Sequence, residues 1–143
     1  MKAKPKQETA IVDDSEYVAT MVRAVRTHQT AAKMAALLGD VLRAIFALGV
    51  RRPTDWEFQW TGIIELRWHN GRESFSGSSR YVSLCLVNPD PKLPCSMRGQ
   101  TTKGYDGRGG IDIRNISVTD AISMLPVLVR IIDQKEAAKD GER

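Results

Sequence analysis

The chain has two cysteines and two histidines in 143 residues, no apolar run of membrane length and no large excess of either charge. Each shortage closes off a class of function. Cys85 and Cys95 are too few for a disulfide framework, which fits a reducing compartment. A zinc site needs four nitrogen or sulfur ligands, commonly in closely spaced pairs, and His28, His69, Cys85 and Cys95 show no such spacing. No metal or other cofactor is expected, and the same scatter provides no Cys-His pair for acyl chemistry. Gly99-Gln-Thr-Thr-Lys-Gly lacks the glycine spacing and the Lys-Ser/Thr ending of a phosphate loop. The glycines from 104 to 110 neither follow an expected strand nor open a helix. Asp13 and Asp14 read as a helix start, and Glu57 and Glu65 as members of a strand face, so the carboxylates suggest no acid-base pair. An enzyme is the least expected class.

With no spanning run, and no apolar core of signal-peptide length in the first ten residues, the protein is expected to be soluble and cytoplasmic, with no membrane partner. Its 21 basic residues face 17 acidic ones, a net charge of +4. That excess raises the chance of contact with a polyanion without making the chain a polycation. It is carried by Lys2, Lys4 and Lys6 and by the arginines of the middle third.

The most ordered pattern present is Thr30 to Leu48. Met34, Leu38, Val41, Ile45 and Leu48 recur in alternating steps of four and three, and Leu37, Leu42 and Phe46 widen the stripe. Only a thin line through Lys33, Asp40 and Arg43 is left for water, so this segment is read as a central helix buried on several sides. Gly39 in its middle implies close packing by a neighbour. Gly49 is a natural C-terminal cap, and Pro53 forbids resumption.

Before it, Tyr17, Val18, Met21, Val22 and Val25 keep helical spacing from Asp14. One helix from 15 to 48 would be about 50 Å long at 1.5 Å per residue, too long for so small a domain, so a break is expected near His28. Residues 1–12 are read as a mobile basic tail.

The period then changes to two. Trp56, Phe58, Trp60, Gly62, Ile64, Leu66 and Trp68 alternate with mostly polar neighbours, the signature of one long half-buried strand. Asn70-Gly71 suggests a tight hairpin. A bulge within Glu73 to Ser79 is then needed to pair Trp60 with Val82 and Phe58 with Leu84, putting both apolar sets on one side. Three tryptophans could form a stacking platform, but core packing explains the alternation better.

Residues 88–110 carry three prolines and five glycines with little apolar periodicity, and read as a long loop. Ile111 and Ile113 mark a short third strand. Ser117 and Asp120 open a last helix lined by Ile122, Leu125, Val129 and Ile132, in which Pro126 should force a kink or restart. The expected fold is α+β: two N-terminal helices, a three-stranded antiparallel meander and a C-terminal helix, with the helices on one face. It forms a single domain over 13–138, with a frayed end at 139–143. Helix, three strands, helix is also the order of double-stranded-RNA-binding domains, but no lysine stands from Ser117 to Asp120, so the likeness is one of topology alone.

What remains for function is a basic surface. Arg67, Arg72 and Arg80 at the hairpin, with Arg98, Lys103, Tyr105 and Arg108 in the long loop, could contact phosphates, Tyr105 by stacking. The expectation is a small non-catalytic binding or regulatory protein whose partner is a nucleic acid or a protein that handles one. The alternative is a protein-directed adaptor or inhibitor using an exposed sheet edge. Oligomeric state is left open by the sequence.

Overall fold

The computed structural model describes residues 13–26, 32–59, 62–70, 80–101 and 110–134. In chain order these form α1 (Asp14–Arg26), α2 (Ala32–Ala47), β1 (Asp55–Phe58), β2 (Ile64–Asn70), β3 (Arg80–Leu86), β4 (Cys95–Gln100), β5 (Gly110–Ile116) and α3 (Val118–Asp133). The strands make one antiparallel meander in the order β1-β2-β3-β4-β5. The class is the expected α+β, but the sheet has five strands rather than three.

α2 is the central helix. Ala35, Leu38, Leu42 and Ile45 are wholly buried, with Met34, Leu37 and Val41 nearly so. It packs between α1 and α3. α1 and α2 are two helices laid against each other, as a break was expected to allow, and residues 27–31 lie outside the described residues. Gly39 marks their contact, where an added Cβ would stand 3.1 Å from Val22 Cγ2. α2 ends in a Schellman motif: Gly49, at φ 85°, donates to Phe46 O and Val50 donates to Ile45 O. Val50 is thereby folded into the core. Asp13 caps α1, its carboxylate accepting from Glu16 N and Ser15 Oγ. Ser117 caps α3 through Asp120 N, as its sequence implies. Pro126 does not restart α3, which is continuous from Val118 to Asp133.

Three expectations about the sheet are corrected. The alternation from 56 to 68 is two strands, because Gly62 takes a φ of 96° and donates to Gln59 O while Gln59 N donates to Ile63 O. This turn folds β1 back on β2, so Phe58 faces Ile64 rather than Leu84. The period survives a turn that inserts an odd number of residues between paired strands, which is why the pattern looked continuous.

Asn70 is also not the corner of a two-residue turn, since it pairs with Arg80 at the end of the β2-β3 ladder. Leu84 sits opposite Leu66 and Val82 opposite Trp68. The inferred parity therefore holds while the register moves along the strand. Trp60 and the inferred bulge within 73–79 lie outside the described residues.

The third correction is β4, inside the stretch read as a loop. Cys95 and Met97 are buried, and Gly99 continues that face, where a Cβ would come within 2.6 Å of Tyr81 O. A glycine at a core position concealed the period-two signal. With five strands the likeness to double-stranded-RNA-binding domains fails even in topology.

The helix-facing side of the sheet is dry. Ile64, Leu66, Trp68, Val82, Leu84, Leu86 and Met97 are fully buried against α3 and the helices behind it. Trp68, the largest of them, donates its indole N–H to Arg51 O at 2.7 Å, which removes the penalty of burying that group. Trp56 and Phe58 are half-buried at the margin of this core.

Candidate functional site

The opposite side of the sheet is polar, and the register lays its residues out in rows. Asp55, Arg67, Ser83, Arg98 and Asp112 form one row across all five strands. Glu57, Glu65, Cys85 and Ser96 form the next. His69, Tyr81, Gln100 and Gly110 form the third.

Arg67 is held by carboxylates on three sides. Its Nε lies 2.6 Å from Asp55 Oδ1, and its Nη1 lies 3.1 Å from Glu65 Oε1 and 3.5 Å from Glu57 Oε1. Glu57 and Glu65 are directly opposed like charges, and the guanidinium between them relieves that repulsion. Burial opposes its charge, but Asp55, then Glu65 and Glu57, outweigh this and raise its pKa. Arg67 is thus committed within the sheet.

Arg80 stands on the other side, beneath α3, where it is buried and donates to Ile131 O and Gln134 O. It caps the carbonyl end of that helix, favoured by both charge and hydrogen bonding. The sheet therefore separates Arg80 from Arg67 and Arg98. Arg98 is exposed on the polar face, next to Asp112. Arg72, Lys103, Tyr105 and Arg108 lie outside the described residues.

The strand ends that flank residues 71–79 and 102–109 lie at one end of the sheet. β2 ends and β3 begins within one residue of the row where β4 ends and β5 begins. The segment holding Arg72 and the segment holding Lys103, Tyr105 and Arg108 are therefore tied to the same end of the sheet. Their anchors on β2 and β5 are three strand spacings apart, about 14 Å.

Sequence reading missed the cluster around His69. This imidazole is 7% exposed, neither ring nitrogen makes a hydrogen bond among the described residues, and Nε2 is 3.5 Å from Asp55 Oδ2. Burial pushes its pKa below the ordinary 6.5, and nearby Asp55 offsets this only in part. Its backbone is fixed from behind, with His69 N donating to Thr54 Oγ1 and His69 O accepting from Arg51 Nη2. Arg51 also grips Asp133 with two hydrogen bonds, of 2.8 and 2.7 Å, tying the end of α2 to β2 and α3. The signal was the odd-numbered polar set 55, 57, 65, 67 and 69, whose members meet only because the chain turns at Gly62.

Burial and the field of Glu65 raise the Cys85 thiol pKa. Cys85 pairs with Glu65, four residues along β2 from His69, or about 13 Å, so sulfur and imidazole form no catalytic pair. Cys95 is buried on the helix side, and its thiol pKa is likewise raised by burial. Among the described residues no group of His, Cys, Asp and Glu could hold a metal ion, and no helix is long and apolar enough to cross a membrane. A groove of about 280 Å³ lies between the end of α2 and α3, lined by Leu48, Val50, Arg51, Pro126, Arg130 and Asp133 among others. One of its two cations, Arg51, is already paired with Asp133.

No protein-family model matches the chain, and neither does any curated protein or solved structure.

Proposed function

We propose that the chain is a non-catalytic binding module whose contact surface is the end of the sheet from which the β2-β3 and β4-β5 connections leave. Its partner is a nucleic acid or a protein that acts on one. The observation that carries this reading is the shared row His69-Tyr81-Gln100-Gly110, which ties the segments bearing Arg72, Lys103, Tyr105 and Arg108 to one end of the fold. Arg98, exposed two residues before that end, adds a cation from the polar face. Arg67 and Arg80 serve the fold instead, one balancing three carboxylates and the other capping α3.

The test is the triple variant Arg98→Ala, Lys103→Ala, Arg108→Ala, assayed on single- and double-stranded nucleic acid over a salt series. Binding should weaken sharply with thermal stability nearly unchanged, and the log-log salt slope should become shallower by up to about three, one per cation removed. Unchanged affinity in the triple variant would overturn the reading.

The protein-directed alternative has its own support, since among the described residues β5 is an edge strand of seven residues, longer than β1 at the other edge with four. Extended peptides add to such edges through main-chain hydrogen bonds.

A further inference from the structure

The two edges of the sheet are not equally protected. β1 is short and follows Pro53, and Trp56 and Phe58 pack at the margin of the core. β5 is longer and contains neither proline nor lysine, residues that natural edges use to prevent pairing. Its helix-facing residues Ile111 and Ile113 are only half-buried. One flank of α3 is also apolar and incompletely covered. Pro126, Val129 and Arg130 mark the side of α3 turned to the end of α2, and Met124 and Leu128 lie on its opposite side, half-buried, with Val127 51% exposed.

The charges on β5 distinguish between possible occupants. Asp112 and Arg114 project on the polar face, 3.2 Å apart and both more than half exposed. When two copies of one strand pair antiparallel, the position numbers of opposed residues have a constant sum, and it must be even if like faces are to meet. A ladder centred on Asp112 or on Arg114 opposes like charges. A ladder centred on Ile113 opposes Asp112 of each copy to Arg114 of the other and stacks Ile113 on Ile113. We infer that β5 pairs with β5 of a second copy about a twofold axis through Ile113, extending the sheet across the interface and bringing the half-covered flanks of the two α3 helices to the same side.

The irregularity of β5 opposite Ser96, between its pairings with Met97 and Cys95, confines the ladder to the middle of the strand. Association is accordingly weak, in the micromolar range or above. The two loop ends then stand at opposite ends of the shared ladder, so self-pairing and binding at the loop end are independent, and loss of one leaves the other.

Sedimentation velocity of the full chain over a wide concentration range tests the inference. The wild type should self-associate, while Asp112→Arg alone and Arg114→Asp alone should each lose about tenfold or more in affinity by opposing like charges. An equimolar mixture of the two single variants should associate, as should the double reversal carrying both substitutions. Thermal melts should be unchanged throughout, because both side chains are exposed. A wild-type chain that stays monomeric up to its solubility limit, a dimer indifferent to the single reversals, or single reversals that neither mixing nor the double reversal rescues would overturn it.

Discussion

The two faces of the sheet are built from the same strands and hold together by different physics. On the helix side, order comes from removing large apolar side chains from water, and the seven fully buried residues from Ile64 to Met97 leave no polar choice open. On the polar side, order comes from charge pairing around Arg67, with the His69 ring buried 3.5 Å from Asp55 at one end of the cluster and its pKa pushed down by burial. Apolar burial tolerates any pH, whereas charge pairing depends on protonation. The polar side is therefore where changes in conditions should be felt first.

Three measurements sharpen that contrast, taken in order of expected effect. Leu66→Ala, on the helix side, should cost about 2–5 kcal/mol by denaturant unfolding, because a fully buried leucine leaves a cavity among rigid neighbours. Its sequence neighbour on the other face, Arg67→Ala, should cost about 1–3 kcal/mol, since it leaves buried Glu65 and the facing Glu57 without their counter-ion. Equal losses, or a larger loss at Arg67, would break the comparison.

The smallest effect is the pH response of His69. Its folded-state pKa lies below the unfolded value, so between the two the unfolded chain binds more protons and stability falls as pH drops below about 6.5. Above that pH the group contributes no pH dependence. His69→Gln should flatten the decline in melting temperature between pH 7 and pH 5 without abolishing folding. A wild-type melt constant across that window, or a variant with the same slope, would show that the ring is not held neutral.

Much of the fold was legible because local pattern and tertiary environment agreed. α2 was readable to within two residues at each end, since its stripe, its terminal glycine and its burial all derive from one amphipathic period. The side of the sheet on which Leu66, Trp68, Val82, Leu84 and Leu86 lie was readable too, because parity survives any shift by an even number of residues. The site was less legible. Arg67, Arg80 and Arg98 look alike in sequence, and only the fold assigns one to an ion cluster, one to a helix end and one to solvent.

By itself the sequence determined the α+β class, the central helix, the caps at Gly49 and Ser117, and which apolar residues of β2 and β3 share the helix-facing side, because each rests on interactions within a few residues or on the alternation of side chains. Only the tertiary structure decided the number of strands, the register and the company of each charge. Gly62 can extend a strand or turn it and Gly99 can sit in a loop or a core, so the free energy that chooses comes from contacts made far along the chain.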